Sequence, residues 1–433
     1  MASSATLMSQ PPGVYFDFVE RPAPNSRRRS DIAGFAGFIP ATTSDKPFVC
    51  NGYEDFLAQA KCRTRKGYSE VSEGSLDASE GYLAAAVQGF FSNGGRTCWI
   101  APVCQRDLLQ SGKVEHAIEQ LGNIDQVSML AVPDAGRCGH TEEDKESRRK
   151  QIQQAMIAQA EQLRDRIVLL DPPADWMPQE YWEGQFPTSE SAFAALYWPW
   201  LKIRREVWDR DGGGWTRAVP PCGHIAGTIA RRDLERGVFA PPANMVIEGV
   251  VGVAGELTDE DRAAKNDVGM NVIVALPGRG VRAMGARTLR NLGPSEPQDS
   301  TLSRRGSSKP GDSDSFKWLN VRRLVTHLCE WIAEDTQWTV FEPRDEALWR
   351  ATERLVRTIL FDLWRRGGLV GATDDEAYFV RCDKTTNSAE AAEEGRVVCL
   401  VGLRPPPPAE MITVRVGLAE GRVELLDHEI TNG

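Results

Sequence analysis

Short, wholly apolar segments alternate with helix-like segments through the first two thirds of this 433-residue chain. Strands that are covered on both faces of a parallel sheet show such continuous apolar runs, and helices commonly connect them. The apolar segments are residues 32–40 (IAGFAGFIP), 97–103, 127–132, 167–173, 194–203 and 272–276. The pattern predicts an α/β domain that is built on a partly parallel, mixed sheet.

Helical spacing predicts three of the connections. They are residues 79–91 with Ser79 as N-cap, residues 141–166 with Ile152, Met156 and Ala160 on one face, and the small-residue segment 223–230. Pro199 is expected to interrupt the strand at 194–203. Gly278 and Gly280 are expected to form a turn between two strands, since glycine adopts positive φ without steric cost.

The last third of the chain has a different pattern. Residues 317–332 and 345–366 are predicted to be amphipathic helices, and residues 377–382 and 397–401 a pair of strands. The fold class predicted for the whole chain is therefore α/β and α+β: a mixed-sheet central domain plus a C-terminal helix-and-sheet domain. The predicted boundaries are an arm at 1–30, the central part at 31–290, a polar loop at 291–316, the C-terminal domain at 317–404 and a second arm at 405–433.

Both arms carry a strand-like segment on a tether. A proline- and arginine-rich tether follows the first strand at 21–30, and a run of four prolines precedes the second at 405–408. An isolated strand is only marginally stable in water, so each is expected to add to a sheet of a neighbouring copy. The segments are Val14, Tyr15, Phe16, Asp17 and Phe18, and Met411, Ile412, Thr413, Val414, Arg415 and Val416.

Composition restricts the classes of function. The formal net charge of -10 argues against general nucleic-acid binding, which needs a basic surface. No apolar run is long enough to span a bilayer, and residues 1–12 do not resemble a signal peptide, so cytoplasmic synthesis without membrane insertion is expected. The nine cysteines form no CxxC pair, which favours reduced thiols over a metal or disulfide framework.

Catalytic patterns are weak. Asp171, His224 and a serine are conceivable as a triad, but no G-x-S-x-G elbow accompanies them, and Asp171 is more simply a turn residue at a strand end. Gly278-Arg279-Gly280 lacks the third glycine of a dinucleotide fingerprint, and no P-loop occurs. Most of the twelve tryptophans lie on apolar faces, which favours core packing. No enzyme, cofactor or metal is predicted.

One helix face stands out. In the helix predicted at 345–366, four arginines project within one sector opposite the apolar face: Arg350, Arg354, Arg357 and Arg365. Such a stripe is usually a solvated face. On an acidic protein with only Glu353 and Asp362 as local partners, it is also a candidate docking surface for an acidic partner.

Several long blocks resemble the contractile tail sheath proteins of phage tails and phage-like injection machines. The opening PPGVYFDFVE is similar to the family's first strand, and YLAAAVQGFFSNGGRTCWIAPV (82–103) to its helix, Asn-Gly-Gly turn and strand. AALYWPWLKI (194–203), VPPCGHIAGTIARRDLERGVFAPPAN (219–244) and NVIVALPGRGVRAMGARTL (271–289) resemble its central blocks, and residues 321–372 its C-terminal domain. The polar loop at 291–315 and the tail after Val416 depart from the family.

The resemblance implies a non-catalytic subunit of stacked rings, usually of six, around an inner tube. Shortening of the sheath drives the tube through a target envelope. Implied partners are further copies of the chain, the inner tube, and baseplate and terminal cap proteins, in a particle that is assembled in the cytoplasm and sometimes released. We expect the arginine stripe to hold the tube before contraction. An α/β hydrolase and another arm-swapped helical assembly remain the alternatives. The sequence does not distinguish a phage tail from a bacteriocin-like particle or a toxin-delivering injector.

Overall fold

A computed structural model of the chain describes most of its length. The described residues are 29–39, 44–63, 81–104, 112–174, 191–204, 216–255, 269–291, 314–343, 345–387, 397–406, 412–419 and 422–429. The predicted strand at Val14–Phe18 and most of the polar loop at 291–316 lie outside these residues.

Nine strands form the main sheet, in the order β2-β3-β1-β4-β5-β6-β11-β12-β9. Their bounds are β1 Ala33–Ile39, β2 Phe48–Cys50, β3 Cys98–Cys104, β4 Met129–Ala131, β5 Ile167–Leu170, β6 Ala194–Trp198, β9 Met245–Val246, β11 Met270–Leu276 and β12 Gly280–Ala283. Strands β3, β1, β4, β5, β6 and β11 run parallel, and β2, β12 and β9 join antiparallel at the edges. The predicted mixed, partly parallel sheet is confirmed.

Helices cover both faces of this sheet. The helices of this part of the chain are α1 Tyr53–Arg63, α2 Leu83–Ser92, α3 Lys113–Gly122, α4 Glu142–Leu163 and α5 Cys222–Arg236. One core cluster joins α1, α2 and α5 to the sheet, and a second joins α3 and α4 to the other face. Strand β1 shows why its sequence is wholly apolar: Phe35 and Ile39 enter the first cluster, whereas Ala36 and Phe38 enter the second.

The interruption predicted at Pro199 is present. Strand β6 ends at Trp198, and the chain continues as β7, Leu201–Arg204, in a separate sheet of order β10-β7-β8. Strand β8 is Thr216–Val219 and β10 is Val250–Val253. The predicted turn after β11 is also confirmed, with φ of 70° at Gly278 and 76° at Gly280.

The C-terminal part is a two-layer α+β unit. Helices α6, Leu319–Asp335, and α7, Glu346–Arg365, share one core cluster with a four-stranded antiparallel sheet. That sheet has the order β13-β14-β15-β16, with β13 Tyr378–Arg381, β14 Val397–Leu403, β15 Ile412–Ala419 and β16 Arg422–Glu429. A short helix α8, Asp374–Ala377, precedes β13.

Two predictions about element ends need correction. Helix α2 begins at Leu83 rather than near Ser79, which lies outside the described residues, and Tyr82 is its N-cap without a side-chain hydrogen bond. Trp318 is the extended N-cap of α6 rather than a helical residue. Among the described residues, no helix has both the length and the apolar character to cross a membrane.

Candidate functional site

Helix α7 has the amphipathic form that its sequence predicts. Its N-cap, Asp345, accepts a hydrogen bond from the backbone N–H of Leu348 at 2.9 Å, which satisfies one of the free donors of the first turn. Leu348, Ile359 and Leu363 are buried in the C-terminal core. Because the buried residues fix the rotation of the helix, the four arginines lie on the side turned away from the core.

Two of these arginines have carboxylate partners one turn earlier in the same helix. Arg350 contacts Glu346 at 2.6 Å, and Arg357 contacts Glu353 at 3.2 Å. Arg357 also donates to the carbonyl oxygen of Val380 on β13. The sequence prediction named Glu353 but missed Glu346, although its i, i+4 spacing to Arg350 was visible. Exposed pairs of this kind contribute at most about 1 kcal/mol, so they hold the arginines weakly.

The other two arginines, Arg354 and Arg365, are more available for contact with a partner. Arg354 is exposed, and among the described residues its side chain forms no ion pair. The guanidinium of Arg365 lies 6.0 Å from the ring centroid of Phe361, which is 41% exposed. At 100° per residue Phe361 falls inside the arginine sector. The arginine face, which we define as Arg350, Arg354, Arg357, Phe361 and Arg365, thus combines cationic groups with one exposed aromatic ring.

In the single chain, the C-terminal strand pairs within the chain's own C-terminal sheet. Within β15, Ile412 pairs with Leu403 of β14 and Thr413 with Glu429 of β16, so both edges of this strand are hydrogen-bonded inside the chain. Ile412 and Val416 are each 1% exposed and belong to the C-terminal core. The segment Ile412–Val416 is therefore a strand, as the sequence predicted, and its addition to the sheet of a neighbouring copy stays a prediction. Met411 lies outside the described residues.

The first described residues, which follow the predicted N-terminal arm, are tightly held. Arg29 forms two hydrogen bonds with Asp31, at 2.8 and 2.6 Å, and a third with Thr97 at 3.1 Å. The hydroxyl of Ser30 donates to Asp233 of α5 at 2.7 Å. We call the hydrogen-bonded group of Arg29, Ser30, Asp31, Asp233 and Arg323 of α6 the arm-root network.

A buried ion pair joins this point to the C-terminal part. Arg323 of α6 contacts Asp233 at 2.8 and 2.5 Å, with both side chains 3% exposed, and also donates to the carbonyl oxygen of Ser30 at 2.9 Å. The arm-root network thus connects the start of β1, helix α5 and helix α6. Sequence reasoning missed it because its members are up to 293 residues apart in the chain.

Asp171 and His224, the two named residues considered for a triad, each have structural contacts. The carboxylate of Asp171 accepts a hydrogen bond from the backbone N–H of Cys222 at 3.0 Å, and burial raises its pKa to about 7. His224 is buried against Gly89, and burial lowers its pKa to about 4. Its Nδ1 has no hydrogen-bond partner among the described residues. Asp171 is thus a strand-end residue that binds a helix N-terminus, as the simpler interpretation proposed.

A second carboxylate has a similar structural role. Asp134, after β4, accepts hydrogen bonds from the backbone N–H groups of Phe38 and Tyr82 at 2.8 and 2.6 Å. Burial raises its pKa, and those two donors oppose the shift. In the part of the chain that the structure describes, no group of three or more His, Cys, Asp or Glu side chains is placed to hold a metal ion.

Comparison with known proteins agrees with this architecture. The family model for the phage tail sheath protein central domain matches residues 113–289. The family model for the phage tail sheath C-terminal domain matches residues 312–419. Together these matches cover about two thirds of the chain. The chain belongs to the phage tail sheath protein family. This is a family of structural sheath proteins.

Solved structures show that the fold extends over nearly the whole chain. A chain of the anti-feeding prophage baseplate, determined by cryo-EM with six-fold symmetry, matches with a TM-score of 0.67 and 23% identity, over 93% of this chain and 97% of that one. A chain of the PVC sheath complex, from an extracellular contractile injection system in its contracted state, matches with a TM-score of 0.63 and 23% identity, over 94% and 96%. These relatives are parts of contractile, phage tail-like assemblies.

A curated relative is similar over a shorter stretch. The tail sheath protein of Vibrio phage KVP40 is 25% identical over 201 residues, which are 46% of this chain and 26% of that protein. The match thus spans about a quarter of the length of that relative.

Proposed function

We propose that the chain is the structural subunit of a contractile sheath. It polymerises as stacked rings of six around an inner tube, and contraction of the polymer drives the tube through a target envelope. The observation that carries this proposal is the sheath fold shared over 93% of the chain with a protein of a six-fold symmetric particle. The baseplate and terminal cap proteins of the same particle are the expected partners at the two ends, and assembly takes place in the cytoplasm.

Strand exchange between copies is the proposed linkage. Residues Val14–Phe18 supply a strand to a neighbour's sheet, and about five backbone hydrogen bonds at roughly 1 kcal/mol each would contribute about 5 kcal/mol. For the C-terminal segment the structure changes the proposal. Strand β15 already fills a place beside β14, so exchange consists of replacing the chain's own strand with the same strand of a neighbour. In this exchange, the eight residues between β14 and β15 would lead to the neighbouring copy instead of back to the same chain.

The arginine face is the proposed contact with the inner tube. Its charges are exposed and weakly paired, and exposed charge pairs are screened by salt. A contact of this kind suits a partner that must be held before contraction and released during it. Phe361 supplies an aromatic anchor inside the charged sector, a combination common at interfaces.

Charge reversal tests this contact. We expect the double variant Arg354→Glu and Arg357→Glu to polymerise normally but to retain several-fold less tube protein during co-purification at low salt. The matched control is Arg404→Glu, an exposed arginine of the same domain outside α7, which should retain tube like the unchanged chain. Equal retention by the double variant and the control would rule out the arginine face as the tube contact.

Negative-stain electron microscopy of the purified chain tests the function itself. We expect tubes or stacked rings, and we expect the fraction of the protein found in them to rise with protein concentration. A chain that sediments only as a monomer and that reacts with serine-directed covalent probes would instead favour a hydrolase. Polymers without six-fold end views would favour a different helical assembly.

A further inference from the structure

Two pairs of cysteines face each other across neighbouring antiparallel strands. Cys50 of β2 lies directly opposite Cys98 of β3. In the C-terminal sheet Arg381, the last residue of β13, lies opposite Leu400, and continuing this register by one residue places Cys382 opposite Cys399. Burial and the neighbouring Cys50 thiol raise the pKa of Cys98, and the neighbouring Cys382 thiol and burial raise the pKa of Cys399. Four of the nine cysteines are thus arranged as two cross-strand pairs.

The Cα spacing of opposite residues lies within the range that disulfides span. Directly opposed residues on antiparallel strands have Cα atoms about 4.5 to 5.5 Å apart. Disulfides span Cα separations of about 4.4 to 6.8 Å. None of the four is in a disulfide in the structure.

Both pairs attach the outermost strand of a sheet. Strand β2, of three residues, is the first in the order of the main sheet, and β13, of four residues, is the first in the order of the C-terminal sheet. Each of these strands is held through a single neighbour in the described structure, as an edge strand is, so it can separate locally from its sheet. A covalent link at these positions would tie an edge strand to its neighbour.

We propose that the pairs Cys50–Cys98 and Cys382–Cys399 are oxidation sites that form two cross-strand disulfides when the protein meets a low-molecular-weight disulfide such as oxidised glutathione. One thiolate attacks oxidised glutathione and releases one glutathione thiolate, which leaves a mixed disulfide. The facing thiolate then attacks the cysteine sulfur of that mixed disulfide and releases the second glutathione. Each pair loses two protons and two electrons, and one glutathione disulfide is reduced to two thiols.

The reaction is expected to be slow and to depend on strand opening. The four side chains are 0 to 1% exposed, and burial raises the pKa of the Cys98 thiol. The thiolate is the attacking species, so attack follows transient separation of β2 or β13 from its neighbour. The disulfides therefore belong to a protein that has left the reducing cytosol, rather than to one newly made there.

Peptide mass spectrometry tests the proposal. The full chain is incubated with reduced or oxidised glutathione, its remaining thiols are alkylated, and it is digested without reductant. We expect peptides linked through Cys50–Cys98 and through Cys382–Cys399 only in the oxidised sample. The oxidised protein should also unfold at a temperature higher by about 5 °C or more.

Single variants separate the two pairs. Cys98→Ala should remove only the first linked peptide and Cys399→Ala only the second, whereas Cys138→Ala should leave both, because Cys138 belongs to neither cross-strand pair. To prevent slow opening from hiding the reaction, the chain is also refolded from urea in oxidised glutathione. If refolded protein still carries four free thiols at these positions, or if they link to other cysteines, the proposal is wrong.

Discussion

At the scale of single residues, Asp171 and His224 have pKa values displaced in opposite directions by the same cause. Burial raises the pKa of Asp171 from 3.8 to about 7, so between these values the folded state binds more protons than the unfolded state. This contribution to the free energy of unfolding therefore falls as the pH rises. Burial lowers the pKa of His224 from 6.5 to about 4, so its contribution rises with pH over that interval. The two contributions oppose each other between about pH 4 and pH 6.5.

Replacing Asp171 with Asn removes the contribution of Asp171 to the pH dependence of the unfolding free energy. The amide oxygen still accepts the hydrogen bond from Cys222, but no charge is buried. Relative to the unchanged chain, we expect the variant to gain about 1 kcal/mol of unfolding free energy per pH unit from pH 5 to pH 7, and to gain no more above that range. Urea unfolding at a series of pH values measures the difference. A difference that stays constant with pH would contradict the raised pKa of Asp171.

The arm-root network gives a second prediction at this scale. Asp233→Asn leaves the guanidinium of Arg323 buried without its counter-charge, which typically costs about 3 to 5 kcal/mol. Glu235→Gln, on an exposed position of the same helix, should change stability by less than about 0.5 kcal/mol. Urea unfolding of both variants measures the contrast. Equal effects would mean that the pair contributes little to joining α5 with α6.

At the scale of elements, the contact between α2 and α5 depends on glycine. A Cβ atom at Gly223 would lie 2.3 Å from the carbonyl oxygen of Ala86, and one at Gly227 would lie 2.4 Å from that of Phe90. In an isolated helix Gly→Ala stabilises by about 1 kcal/mol. Here the neighbouring atoms belong to backbone, which cannot rotate away, so Gly227→Ala is expected to destabilise by about 1 to 3 kcal/mol.

Thermal or urea unfolding decides the sign of this effect. Gly136→Ala is the control, because a Cβ atom there has no neighbour within 4 Å. We expect the control to keep or slightly raise the stability of the chain. A stabilising Gly227→Ala would show that the two helices are further apart than the structure places them.

The elements that the sequence predicted are those with a long, clear pattern. Apolar runs identified β1 and β5, and helical spacing identified α4 and α7. The pattern fails where elements are short: β2, β8, β9 and β10 have two to four residues, so their pairing is set by neighbouring strands rather than by their own period. Strand β16 was missed for another reason. Its pairing skips Leu426, and this irregularity breaks the alternation that marks a strand.

For the candidate site, the sequence predicted the arginines of the arginine face and the C-terminal strand but not the partners of that strand. Helical geometry placed Arg350, Arg354, Arg357 and Arg365 on one face, because buried residues elsewhere on α7 fix its rotation. The pattern at Ile412–Val416 correctly indicated a strand. It carried no information on the partner of that strand, since a period of two specifies a face and not a neighbour. The pairing with β14 and β16 therefore emerged only from the structure.

At the scale of the whole molecule, the two ends of the chain are expected to behave differently when removed. Deletion of residues 1–28 leaves the arm-root network intact and should change the thermal midpoint by less than about 2 °C while preventing polymerisation. Deletion of residues 407–433 removes β15 and with it the buried side chains of Ile412 and Val416. At about 2 kcal/mol or more for each side chain, this should lower the thermal midpoint of the monomer by about 4 °C or more.

Adding the missing strand back separately then tests exchange between copies. A synthetic peptide of residues 407–433 presents the same residues to β14 that β15 presents within one chain. If strands pass between neighbouring copies, the peptide should bind the shortened chain and restore its thermal midpoint, whereas a peptide with Ile412 and Val416 replaced by Asp should not. Failure of the unchanged peptide would limit the C-terminal strand to a role inside its own chain. Normal tubes from the chain lacking residues 1–28 would exclude strand donation by the N-terminal segment as the link that holds the sheath together.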